Sequence, residues 1–63
     1  MTEDDRRMNF MLALQRSGLK LTPSELGFLD SATAQLGFSH KQRRWIDSLR
    51  VKYEEKLDQN QRA

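Results

Sequence analysis

Thr22-Pro23-Ser24-Glu25 fixes the start of a helix, and any fold for this chain has to accommodate it. Threonine accepts an amide of the first turn, and proline at the first helical position has no amide to leave unpaired. Glu25 is placed to reach back to the amide of the capping residue. Leu21 and Leu26 flank the cap with the spacing of a hydrophobic staple. Ser39-His40-Lys41-Gln42 repeats the box with serine and glutamine. Thr2 followed by Glu3, Asp4 and Asp5 is a third start, its acids favouring the positive end of a helix. Gly18 and Gly37 each follow a periodic segment, where a left-handed residue ends a helix, with Leu19 set against Leu14 as the Schellman contact.

These signals predict helices over about 3–17, 23–36 and 40–57, with residues 59–63 a frayed tail. Each carries apolar residues three or four apart. The first stripe is Met8, Met11, Leu12 and Leu14, edged by Phe10; the second is Leu26, Leu29, Ala32 and Leu36, flanked by Phe28. The third is Trp45, Ile46, Leu49, Tyr53 and Leu57. The expected fold is all-α, a compact three-helix bundle resembling a helix-turn-helix, as one domain over residues 1–63. Gly27, inside the second helix, marks a place where another helix is expected to approach closely.

A chain of 63 residues buries only roughly 60% of the surface it exposes when unfolded. Small domains often add disulfides or a metal, but this one has no cysteine and one histidine. That rules out disulfides and leaves a structural zinc site without ligands. Consistent helix packing, or a second chain, has to hold the fold. The longest apolar run, Phe10 to Leu14, is far short of the ~20 residues of a membrane span, so no membrane partner is expected. The acidic start does not look like a secretory or transit peptide. With no cysteine, the chain is expected to be cytoplasmic.

General acid–base catalysis needs paired groups with shifted proton affinities in one pocket. Here the carboxylates are spread along the helices near lysines and arginines, His40 falls in a first turn, and no glycine-rich phosphate loop is present. The expectation is a protein that is not an enzyme, with no cofactor, no metal and no small-molecule substrate.

The basic run is the informative feature. Lys41, Arg43, Arg44, Arg50 and Lys52 face a single acid, Asp47, between residues 40 and 52. Three of these cations sit in the first turns of a helix, where the macrodipole opposes positive charge by about a few tenths of a kcal/mol. Local rules are broken mostly at functional sites. First turns of a third helix are where helix-turn-helix proteins meet bases and phosphates. Lys41, Arg43, Arg44 and Arg50 are therefore candidate phosphate contacts. Gln42 is a candidate base reader, provided the cap does not occupy it. The same run also fits a solvated face paired with Asp47, Glu54 and Glu55. Trp45 and Tyr53 could stack on bases, but their place on the apolar stripe predicts core packing. Met8, Phe10, Met11 and Leu14 span a wide arc for a thin domain, and form a candidate protein interface unless both other helices pack there.

Leu21-Thr22-Pro23-Ser24-Glu25, Phe28-Leu29, Phe38-Ser39-His40-Lys41-Gln42 and Trp45-Ile46 together resemble a helical module with an LT-x-x-E … F-L … LS-x-K-Q … W pattern. It occurs in small phage and plasmid proteins and at the ends of larger mobile-element proteins that process DNA. The resemblance spans residues 21–57, with Lys41 and Gln42 matching its polar positions. Phe38 stands where the pattern has leucine, and Gly27 where a larger residue is common. The resemblance implies a compact helical unit beside nucleic-acid machinery, with no activity of its own established for the family. The function expected is a small binding module for DNA or RNA, or for the machinery that handles them. The competing expectation is a protein-interaction adaptor or inhibitor, alone or as a homodimer, using the first-helix surface.

Overall fold

The computed structural model describes residues 2–62, with side chains through 59. It is an all-α three-helix bundle: α1 (Glu3–Arg16), α2 (Pro23–Thr33) and α3 (His40–Arg62). All three capping boxes form. Asp5 N–H donates to Thr2 Oγ1 and Thr2 N–H to Asp5 Oδ2, each at 3.1 Å. Glu25 N–H donates to Thr22 Oγ1 at 3.2 Å, and Thr22 N–H to Glu25 Oε1 at 2.9 Å. Gln42 N–H donates to Ser39 Oγ at 3.1 Å, and Ser39 N–H to Gln42 Oε1 at 2.9 Å. Gly18, with φ of 75°, takes the left-handed turn that ends α1. Ser17 helps it, its hydroxyl donating to Leu14 O at 2.7 Å and accepting Leu19 N–H at 3.1 Å.

The central helix is α1, which packs on both α2 and α3. Met11 and Leu14 from α1, Leu29 and Ala32 from α2, and Ile46, Leu49, Tyr53 and Leu57 from α3 form the core. Phe38, from the α2–α3 connection, closes it at one end. Burying a Met, Leu or Ile fully stabilises by about 1.5–3 kcal/mol each.

Several sequence expectations are corrected by the structure. Helix α2 stops at Thr33 rather than near 36. There Thr33 Oγ1 bonds back to Leu29 O at 2.7 Å, and Ala34 and Gln35 donate to Ser31 O and Ala32 O. These three-residue bonds tighten and end the last turn. Leu36 therefore lies beyond the helix and is fully exposed. Leu26 is also exposed, because Glu25, Leu29 and Ala32 set the inward face one residue away. Leu21 packs on the core, whereas Leu26 stays half exposed. Gly37 does not take a positive φ. Helix α3 continues past 57 to Arg62, since neither glycine nor proline follows Leu57 to stop it. Only Ala63 of the tail expected to fray lies wholly outside the described residues.

No helix approaches Gly27: a Cβ built there meets nothing within 4 Å. The residue is exposed and keeps only the entropic cost of glycine in a helix. Gly27→Ala is thus expected to stabilise the fold by about 0.5–1 kcal/mol, raising Tm by a few degrees in thermal unfolding. An unchanged or lower Tm would contradict the open environment.

The seam between α2 and α3 is closed mainly by side chains. Glu25, 6% exposed, caps α2 and also accepts the Tyr53 hydroxyl at 2.8 Å and Lys52 Nζ at 3.2 Å. The Thr22 amide, then Tyr53 and Lys52, hold its carboxyl at about 2, against an ordinary 4.5. Because the folded value lies below the unfolded one, this stabilisation is complete above about pH 4.5 and is lost as pH falls toward 2. Glu25→Gln is expected to cost about 2 kcal/mol at neutral pH. The gap in Tm between variant and wild type should narrow through that acid window. A gap independent of pH would show that the charge of Glu25 contributes nothing.

Candidate nucleic-acid interface

The five cationic and polar candidates of α3 do not share one surface. Their spacing around the helix sends them to four different environments.

Arg43 faces α1. Its Nε and terminal nitrogen donate to the two oxygens of Asp4 at 3.1 and 2.9 Å. Arg7, on α1, bonds Asp4 at 2.9 Å and reaches Asp47 of α3 with two donors, each at 3.0 Å. The result is a chain, Arg43–Asp4–Arg7–Asp47, laced across the α1–α3 seam. Asp4 is held below the usual carboxylate range, chiefly by Arg43, and Asp47 chiefly by Arg7. Arg7 and Arg43 are raised in return by the carboxylates they grip. Fork-on-carboxylate pairing of this kind fixes geometry as well as charge. Arg43 is therefore tied into the fold by Asp4 through Nε and one terminal nitrogen.

Gln42 is spent on the Ser39 cap, which removes it as a base reader. Arg50 lies one turn past Asp47 on the side of α3 that borders α1, in a groove of about 260 Å³ lined also by Glu3, Arg7, Asp47, Val51 and Glu54. Three carboxylates, Glu3, Asp47 and Glu54, share that groove with Arg7 and Arg50, so Arg50 sits on a mixed-charge surface apart from Lys41 and Arg44.

Lys41 and Arg44 remain. With His40, Trp45 and Ser48 they line a shallow groove of about 420 Å³. Lys41, Arg44, Trp45 and Ser48 are spaced i, i+3, i+4 and i+7, which puts them on one strip of the helix. Among the described residues neither Lys41 nor Arg44 makes an ion pair. Helix α3 has no acid in its first turn to balance them.

Trp45 overturns the expectation of core packing. It is 42% exposed, and one side of its indole lies on the ring of Phe28, with centroids 4.1 Å apart and planes 21° from parallel. Ile46, one residue on, takes the buried position instead. The helical period allows only one of these neighbours to face α1, and the narrower side chain fits the thin core. Tyr53, in contrast, is in the core as expected.

The first-helix surface is likewise corrected. Met11 and Leu14 are 0% and 1% exposed, and Met8 and Phe10 are half-buried against the core. As the central helix, α1 gives its wide apolar arc to two neighbours at once. No set of three or more metal-ligating side chains gathers among the described residues. None of the helices there is long and apolar enough to cross a membrane.

Arg43 and Arg44 are adjacent in sequence but differ in role, and thermal unfolding separates them. Arg43→Ala is expected to lower Tm by breaking the chain that joins α1 to α3, whereas Arg44→Ala should leave Tm unchanged. Equal effects from both would contradict the division.

No family model, curated protein or solved structure matches the chain, so its function is read from this geometry.

Proposed function

We propose that this protein is a small, non-catalytic binding module for nucleic acid, engaging phosphates through Lys41 and Arg44 at the start of α3. The observation that carries this reading is two cations without ion-pair partners beside an exposed tryptophan, at a helix end that has no acid. Their charge opposes the macrodipole, and the His40 and Lys41 amides at this end have no intrahelical partner. An incoming phosphate relieves both conditions. It neutralises the side chains and supplies the negative charge that a helix N-terminus favours. The reading also agrees with the resemblance to helical modules that work beside DNA-processing machinery. The phage or plasmid setting is part of the same proposal.

Binding by this route is electrostatic and falls with salt as counterions are released. Titration of short labelled oligonucleotides at several salt concentrations tests it. Lys41→Ala with Arg44→Ala is expected to weaken binding and to flatten the dependence of log K on log salt by about 1.4–1.8, the sum for two lost phosphate contacts. Affinity and slope that survive the double substitution would overturn the proposal.

A further inference from the structure

We infer that the ligand of the Lys41–Arg44 groove is single-stranded nucleic acid, one base of which stacks on the free part of Trp45. This inference rests on the proposed phosphate contacts and goes one step beyond them.

The first argument is what α3 no longer offers a duplex. Reading base edges in a major groove takes side chains that extend from the first turns with free donors and acceptors. Gln42 has its side-chain oxygen on the Ser39 amide, so it cannot offer the paired donor and acceptor that reads an adenine edge. Arg43 is held to Asp4 through two of its nitrogens. Ser48, the remaining polar side chain of the strip, donates its hydroxyl back to Arg44 O at 3.1 Å. What is left is charge and an aromatic surface, without a set of edge-reading groups.

The second argument is the aromatic surface itself. Tryptophan side chains are highly buried on average. Trp45 remains substantially exposed, and Phe28 of α2 braces it. Phe28 covers part of the indole, and the ring still contributes exposed surface to the groove that Lys41 and Arg44 line. A braced ring loses little freedom when a base settles on it. Single-strand binders combine cations that track the backbone with rings on which bases stack, and they tolerate any sequence because every base has a π face. Lys41 and Arg44, one helical turn apart, flank the ring as such a backbone track requires. In a duplex the base faces are already stacked on one another, so Trp45 would have nothing to receive.

Trp45 is the sole tryptophan of the chain, which makes it its own reporter. The wild-type protein would be titrated at low salt with four ligands of equal length: a deoxyribose strand, a ribose strand, an abasic strand and a duplex. Quenching of tryptophan fluorescence by either base-bearing strand is expected, and the two sugars identify which source binds. The abasic strand should bind about 5- to 150-fold more weakly and without quenching, the range that loss of one stacked base implies. The duplex should also bind more weakly than the single strand. Suppose instead that abasic strand and duplex bind as tightly as the base-bearing strand, and that Lys41→Ala with Arg44→Ala still weakens all of them. The phosphate reading then survives and the stacking inference is overturned. Absence of binding by all four ligands at low salt overturns both. The comparison of ligands needs no substitution at Trp45, so a loss of folding cannot obscure it.

Discussion

The carboxylate of Glu25 joins two parts of the fold that little else connects. One oxygen closes the cap of α2 on Thr22 and receives the hydroxyl of Tyr53, while the other takes the ammonium of Lys52. Helices α2 and α3 each pack on α1 but meet one another sparsely along the backbone. Beside the shared core, the Glu25 contacts and the stack of Phe28 on Trp45 are what join them directly. Trp45 of that ring pair also lines the proposed site, so the polar latch and the binding surface share one seam. A carboxylate is suited to this place because it can accept several donors at once, and among the described residues no buried side-chain polar atom lacks a partner.

The basic residues of α3 illustrate how a single helix separates structural charge from available charge. Arg43 and Asp47 are four residues apart, so both face α1 and enter the chain with Asp4 and Arg7. Lys41 and Arg44 are three apart and turn away from α1, toward the groove with Trp45. Lys52, further along that same strip, is drawn aside by Glu25 and lies 5.1 Å from the centroid of the Tyr53 ring. The first two turns of α3 therefore present two cations, Lys41 and Arg44, that make no ion pair among the described residues. Partly exposed pairs such as Asp4–Arg43 add modest stability singly. Their consequence here is positional, since they hold the start of α3 in register against α1.

Capping chemistry made the fold legible in the sequence, and crowding made the site hard to read. A capping box is local: its donors and acceptors lie within three residues, so Thr22-Pro23-Ser24-Glu25 and Ser39 to Gln42 could be read without knowing the packing. The left-handed Gly18 is local in the same sense. Trp45 is different. Periodicity places Trp45 and Ile46 side by side at the edge of the stripe, and which of them faces inward depends on the room that α1 leaves. The roles of Arg43 and Arg7 were hidden because their carboxylate partners lie about forty positions away in the chain. The spacing of Lys41, Arg44, Trp45 and Ser48 was visible, yet its meaning depended on Trp45 being outside.

A thin core gives these polar and aromatic contacts more weight than they would carry in a larger domain. Three short helices cannot fill every seam with aliphatic side chains, and α1 uses its apolar arc on both sides. The α2–α3 seam is left to one buried carboxylate, one tyrosine hydroxyl and one ring stack. Seams of that kind keep aromatic surface near solvent, because no third layer exists to cover it. Exposure of Trp45 is thus a consequence of the chain's small size as much as of any selection for binding. What turns the exposed ring into a candidate site is the charge beside it. Leu26, Leu36 and Val51 are also exposed, but Trp45 alone among the exposed large apolar residues lies in a groove with two unneutralised cations. Isolated exposed apolar residues are ordinary on a small protein and require no partner. A braced aromatic ring beside two cations without ion pairs at a helix N-terminus offers the three things that a phosphate-linked base presents complements to.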